Sequence, residues 1–360
     1  MPIRRRPERV ETHDGPAIEL RGIGRTYRTG RETVVALRGV DLVVKQGQVV
    51  GMLGRNGAGK TTLTKILSTL LLPTSGTARV FGHDLVSEVR AVRQLTGVVF
   101  GGDRGLYERL TARENIQFFA MLNGVARRTV AHRIREVLAD SGLETVADRP
   151  VESFSKGMRQ RLHIAIGMVT RPRLLLLDEP TVGLDPVEAE RLRTAIGQLR
   201  DDGTTILLTS HYLLDIERLA DRVVLLAQGR LVADVETSRF TELAGHVATV
   251  TVRGRGLAPE ALRRPIPGLV VDVVKQEDPL WMARLRVEGW AVGSFTSLSG
   301  LLGAGDVVDF SIAPVRLEDA YTELENLARR WATHTSATGA AEYGTGWNTA
   351  ADAGGPVERR

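Results

Sequence analysis

The sequence predicts an α/β fold with a largely parallel sheet, followed by a small α+β domain. Three observations predict it. From about residue 17 to 235, short apolar runs alternate with amphipathic stretches of helical length, the pattern of strands joined by crossover helices. Between one such strand and the next helix stands a glycine-rich loop, Gly54 to Gly59. From about 236 to 327 the texture changes to strand, short helix, two strands, helix, strand, a split βαβ order that suggests a ferredoxin-like domain.

Taken in order, "VVGML" (Val49–Leu53) reads as a strand and "KTTLTKILSTLLL" as the helix after it. "TGVVF" is a strand, "LLLL" (Leu174–Leu177) a buried strand and "TTILLTS" (Thr204–Ser210) another. "RVVLLAQGRLVA" reads as a hairpin turning at Gln228-Gly229. In the second zone "VATVTVR", "LVVDVVK", "WMARLRV" and "DVVDFSI" read as strands, "APEALRR" and "SFTSLSGLL" as helices, and "LEDAYTELENLARR" as a closing helix. No repeat of 20–50 residues is evident.

The 360 residues suffice for two cores. With 42% hydrophobic and 25% charged residues the composition is that of an ordinary globular protein. There is no cysteine, which excludes disulfides, thiolate metal sites and a cysteine nucleophile. The net charge of +5 is mild. No basic stripe is interleaved with aromatics, so no nucleic-acid partner is expected, while a basic face near anionic lipid headgroups would fit. The start, "MPIRRRPERVETHDGP", lacks an apolar core and reads as a flexible arm over 1–16 rather than a secretory signal. No run approaches the ~18 apolar residues of a bilayer span. "LSTLLL" and "LLLL" are expected to be short core elements, and membrane contact is expected only through a partner. Residues 331–360, rich in Ala, Gly, Thr and Ser, are expected to be disordered.

"GRNGAGKT" (Gly54–Thr61) matches G-x-x-x-x-G-K-[ST] after a strand and before a helix. Gly54, Gly57 and Gly59, with Arg55, Asn56 and Ala58 between them, let backbone N–H groups point at phosphate oxygens. Lys60 adds a positive charge for the β and γ phosphates. Thr61 offers a hydroxyl to Mg²⁺, and Thr62 follows it into the helix, whose N-terminus adds its dipole. Asp178 ends the strand "LLLLDEP", where it can hold Mg²⁺ through water, and Glu179 next to it can polarise an attacking water. His211 in "LLTSHY" lies at the carboxyl edge of the sheet, where ligands bind. "FSKGMRQR" (Phe154–Arg161) opens another helix with Ser155 and Gly157, a second anion-holding helix start or a plain serine cap.

The cradle, "FSKGMRQR", "LLLLDEP", "VGLDP" and "TSHY" follow one another in the order and spacing of the ATP-binding cassette (ABC) ATPases, and the chain resembles that family over roughly residues 17–235. The resemblance implies a P-loop NTPase cassette with a mixed sheet core and a helical subdomain at about 103–170. It also implies ATP and Mg²⁺ as ligands, and ATP hydrolysis coupled to transmembrane transport. Two such subunits, expected to be identical, would pair head to tail around two ATP molecules. Ser155 and Gly157 would then serve the partner's γ phosphate, Asp185 in "GLDP" would sit at the dimer seam, and Tyr27, placed before the first strands, would stack on adenine. Catalysis would rest on Glu179, His211 and Lys60. The variant signature and the 236–330 domain resemble the branch powering drug-resistance and polysaccharide or lipid exporters, whose integral membrane permeases are separate chains. That places the subunit peripherally on the cytoplasmic face of the cell membrane. An importer ATPase, or a cassette protein acting on ribosomes or DNA, is the alternative. "DRGLYERLTAREN" resembles the region that grips the permease's coupling helix. Where the family has a glutamine after "TGVVF", this chain has Gly101, Gly102 and Asp103, and either Asp103 or water takes its place. The C-terminal domain's role stays open between dimer brace, regulator and spacer.

Overall fold

The structure, a computed structural model, describes residues 15–322 apart from 31, 102–104, 241–245, 257, 259, 264–267, 278, 291, 304 and 305. The expected arm (all but residues 15 and 16), the expected 331–360 tail, Gly102 and Asp103 lie outside the described residues. The chain divides into two units, residues 1–237 and 238–360.

The first unit contains two sheets. One is antiparallel, built from β1 (Ile18–Thr29), β2 (Glu32–Val44), β4 (Ser75–Val80) and β5 (His83–Asp84), in the order β2-β1-β4-β5. The other contains β3 (Val49–Leu53), β6 (Thr96–Phe100), β7 (Leu174–Asp178), β8 (Thr205–Thr209), β9 (Arg222–Ala227) and β10 (Arg230–Glu236). Its order is β10-β9-β3-β8-β7-β6, and every pair except β9–β10 is parallel. β3, β7 and β8 are buried at every position, which is why they read as unbroken apolar runs rather than alternating ones. Gln228 and Gly229 both have positive φ, 49° and 77°, and make the two-residue turn of the β9–β10 hairpin.

Around these sheets run α1 (Lys60–Leu67), α2 (Val89–Leu95), α3 (Ala112–Leu122), α4 (Arg127–Asp140), α5 (Lys156–Met168), α6 (Pro186–Asp201) and α7 (Leu213–Leu219), and the short α8 (Thr237–Phe240) spans the boundary with the second unit. One core joins the two sheets and α1, with Ile18, Leu20, Val40, Met52, Ile66, Leu176 and Leu207. α3, α4 and α5 build a second core of their own from Ile116, Ile134, Val137, Leu138, Phe154 and Leu162. α3 starts at a capping box: the Glu114 amide donates to Thr111 Oγ1 (3.2 Å) and the Thr111 amide to Glu114 Oε2 (2.8 Å).

Five points differ from the sequence reading. The antiparallel sheet was not anticipated. Tyr27 does not precede the strands but lies within β1. The helix after the cradle stops at Leu67, because Thr69 takes a left-handed backbone (φ 60°). In consequence "LSTLLL" is only partly core, since Leu70 and Leu72 are 62% and 55% exposed. "APEALRR" yields only a 3-10 turn, Glu260–Arg263.

The second unit carries β11 (Ala248–Arg255), β12 (Leu269–Glu277), β13 (Leu280–Val287), α9 (Val292–Gly303) and β14 (Asp306–Pro314). The sheet order is β12-β13-β11-β14, with every pair antiparallel. Burial alternates residue by residue along β11 and β13, as for a sheet covered on one face. Trp281, Leu285, Val250, Val252 and Leu298 form its core. Residues 317–322 are helical, with Leu317 and Ala320 buried.

Candidate active site

The loop between β3 and α1 is shaped by backbone conformations that a side chain would oppose. Gly54 and Gly59 have φ of 151° and 109°, and a Cβ on them would come within 2.3 Å of the Leu226 carbonyl and 2.7 Å of the Ala36 carbonyl. Lys60 begins α1 and is 5% exposed. Its Nζ donates to the Gly54 carbonyl (2.5 Å) and the Arg55 carbonyl (3.3 Å), so it lies back along the loop it closes. Burial holds the ammonium's pKa below its ordinary value, and the nearby Glu179 and Asp178 carboxylates oppose that shift. Thr61 is exposed at the helix start, and Thr62 Oγ1 lies 3.5 Å from the Tyr27 hydroxyl. The Arg25 guanidinium stands 4.8 Å from the centre of the Tyr27 ring.

β7 and β8 deliver the acidic side of the site. Asp178, the last residue of β7, is buried and accepts from Thr209 Oγ1 (2.5 Å) through Oδ1. Thr209 also receives the Glu179 amide, at its carbonyl (3.0 Å) and its Oγ1 (3.1 Å). Glu179 has φ 52°, left-handed for a residue with a long side chain, and His211 Nδ1 lies 3.2 Å from its Oε2. The structure therefore brings Lys60, Asp178, Glu179 and His211 together. Thr209 was missed by the sequence reading. Its signal was a hydroxyl at the end of a buried strand, one ladder step from Asp178.

Gly101 explains why no side chain stands where the resemblance expects glutamine. A Cβ there would fall 2.9 Å from the carbonyls of both Asp178 and Glu179.

Ser155 and Gly157 lead elsewhere. Ser155 caps α5, accepting from the Met158 amide (3.2 Å), and is exposed. Gly157 backs onto Glu188 of α6, where a Cβ would meet Oε2 at 2.5 Å. Asp185 caps α6 by accepting from the Val187 and Glu188 amides, both at 3.0 Å. The hydrogen bonds and packing described for these three residues stay within α5 and α6. The structure does not join them to the cradle of the same chain.

As for a metal, among the described residues no group of three or more His, Asp or Glu side chains is arranged so that it could hold an ion by itself. Mg²⁺ in phosphate sites takes only one or two protein oxygens beside water and phosphate. One exposed hydroxyl, Thr61, and the free oxygen of Asp178 fit that ion.

Comparison with known proteins agrees with this geometry. Residues 37–182 match the family model described as ABC transporter. The chain is 40% identical over 215 residues to the ABC transporter ATP-binding protein NatA of Bacillus subtilis, covering 60% of this chain and 87% of that one. It is 38% identical over 271 residues to the daunorubicin/doxorubicin resistance ATP-binding protein DrrA of Streptomyces peucetius, covering 75% and 81%. Among solved structures, the ATP-binding cassette MJ0796, a dimer in a post-hydrolysis state with ADP and Pi, superposes with a TM-score of 0.56 at 26% identity, over 61% of this chain and 98% of that one. A cradle for triphosphate, an acidic pair with a histidine beside it, and relatives matched over most of their length lead to one conclusion: this chain is a member of the ABC transporter ATP-binding family, an ATPase.

Proposed function

We propose that the chain is the ATP-hydrolysing subunit of an exporter, acting as two copies that close around two ATP–Mg²⁺ and drive a separate integral membrane permease from the cytoplasmic face of the cell membrane. The observation that carries this reading is the length of the match to the drug-resistance ATP-binding protein. Its 271 residues exceed the 237 of the first unit, so the likeness continues into the second. Among the described residues no helix is long and apolar enough to cross a membrane, in keeping with a permease on another chain.

In this reading the loop amides of Gly54 to Gly59 and the Lys60 ammonium hold the β and γ phosphates, with Arg55, Asn56 and Ala58 as the loop's rim. Tyr27 stacks on adenine with one face while Arg25 occupies the other. Thr61 and Asp178 would hold Mg²⁺, whose charge would offset that developing on the phosphates. Glu179 takes a proton from the attacking water, and His211 steadies its carboxylate and reaches the γ phosphate. Ser155 and Gly157 present the start of α5 to the partner's nucleotide, with Asp185 at the seam. The triphosphate is then shared by two positive helix ends, and loss of the γ phosphate releases the pair.

The permease docks on α3, where Phe118, Met121 and Leu122 are exposed beside Tyr107. The Tyr107 and Phe118 rings meet edge to face at 4.8 Å, which gives the patch a fixed shape. Inside-out membrane vesicles carrying this chain and its permease test the direction. Loading of an amphiphilic probe that needs hydrolysable ATP and disappears with Glu179→Gln is expected. ATP-driven movement in the opposite sense would establish an importer, and co-sedimentation with ribosomes in place of membranes would establish a non-transport role.

A further inference from the structure

Asp215 lies on α7, four residues after His211, and is 1% exposed. A carboxylate that deep must have its oxygens paired. Oδ1 accepts from Arg193 Nη1 of α6 at 2.7 Å. Oδ2 accepts two hydroxyls, Thr181 Oγ1 and Ser210 Oγ, the latter at 2.9 Å. Both hydroxyl residues are themselves buried. Thr181 is the second residue after Glu179, and Ser210 immediately precedes His211. Ser210 Oγ also accepts the Tyr212 amide (2.9 Å), so the backbone is pinned on both sides of the histidine.

The Glu179 and His211 side chains are 29% and 44% exposed. Packing around them is partial, with the Tyr212 ring 4.3 Å from that of His211, and Glu179 holds a backbone conformation that the surrounding structure must impose. The restraint comes from behind. We propose that Asp215 is a positioning residue for ATP hydrolysis: through Thr181 and Ser210 one buried carboxylate locks the segment carrying Glu179 to the segment carrying His211. The Arg193 pair supplies the counter-charge for the buried carboxylate, and the two hydroxyls supply the register. Asp215 itself touches neither nucleotide nor water in this scheme. The inference rests on Glu179 and His211 being the reacting pair.

The test cuts the hydroxyl arms and leaves the ion pair. In the full-length protein, Thr181→Val and Ser210→Ala are each expected to lower kcat about 10- to 100-fold with KM for ATP within about twofold, since small misplacements of a reacting group carry losses of that size. Thr181→Ser, which restores the hydroxyl, recovers most of the rate. The double variant loses less than the product of the two single losses, because both arms serve one clamp. A second readout is independent of activity: the ¹⁵N shifts of the His211 imidazole, assigned by their loss in His211→Gln, move in Thr181→Val and return in Thr181→Ser. Unchanged kcat and unchanged His211 shifts in both single variants would overturn the proposal. So would equal loss of Tm, kcat and affinity with the His211 shifts unmoved, which is the mark of a mere staple. If Glu179→Gln hydrolyses ATP at the parental rate, the assignment of the reacting pair fails, while movement of the His211 shifts in Thr181→Val still demonstrates the clamp.

Discussion

Glu179 and His211 come from the ends of two neighbouring parallel strands, and their side chains meet with Nδ1 3.2 Å from Oε2. In the proposed mechanism that carboxylate is the base, with its orientation set by a ring nitrogen. Glu179→Gln keeps the shape, the left-handed backbone and the hydrogen-bonding reach but removes the basic oxygen. ATP binding is expected to persist, turnover to fall by about 10²–10⁴-fold, and an ATP-bound dimer to accumulate on size exclusion with light scattering. A monomer that hydrolyses normally contradicts the assignment.

The start of α5 is separated from its own cradle in chain contacts, so its substitution must discriminate binding from turnover. Ser155→Arg places a bulky cation at an exposed cap whose only described acceptor role is toward the Met158 amide. Loss of that cap costs about 1 kcal/mol of helix stability, which leaves the fold intact. ATP affinity of the monomer, measured by calorimetry, is expected to stay within about threefold while turnover and ATP-induced dimerisation disappear, because the long side chain then fills the space that the partner's γ phosphate must enter. A large drop in monomer affinity means that the serine serves its own nucleotide.

Lys60 is held at a cost. Its pKa is lowered on folding, chiefly by burial and against the pull of Glu179 and Asp178. For a base with a lowered folded pKa the unfolded chain binds more protons between the two values. Stability therefore rises with pH across that window, and the penalty is fully present below it. Lys60→Met is expected to raise the Tm of nucleotide-free protein at neutral pH, because it removes a charge that burial disfavours. The advantage over the parent shrinks as pH approaches the unfolded value of 10.5. ATP no longer raises Tm in the variant. A lower Tm at neutral pH, or retained stabilisation by ATP, refutes this account of the lysine.

What the sequence made legible follows from how local each device is. The cradle is contiguous, and its residue types are dictated by positive φ at Gly54 and Gly59 and by one cation at a helix start, so the pattern was readable without a structure. β3, β7 and β8 were readable because burial on both faces leaves only apolar runs. β1 and β2 were not. Their pairing is broken by shifts at Leu20/Ile23, Ile23/Arg25 and Arg25/Thr26, so alternation never holds long enough to declare a strand, and Tyr27 was misplaced with them. Asp215 was illegible for a different reason. Its partners Arg193, Thr181 and Ser210 come from one helix and the ends of two strands, and no spacing rule joins them. The one clue in the sequence was a carboxylate on the face of α7 that also carries Ile216 and Leu219.

The apolar patch on α3 offers a test that separates the motor from its attachment. Leu122 closes the helix and is 69% exposed, and Phe118 stands on the same side at helical spacing. The core under this helix is made by Ile116 and Ala120 against α4 and α5, so Phe118 and Leu122 contribute little to it. Phe118→Asp with Leu122→Glu is expected to leave Tm within about 2 °C, since exposed substitutions away from buried features change stability by only about 0.5 kcal/mol. ATP hydrolysis by the soluble chain stays within about twofold. Co-purification with the permease and transport in vesicles are lost, because two carboxylates would be buried without partners at the contact. Should the doubly charged variant still co-purify and transport, the docking surface lies elsewhere on the cassette, and the aromatic cluster of Tyr107 and Phe118 is packing for the helix start alone.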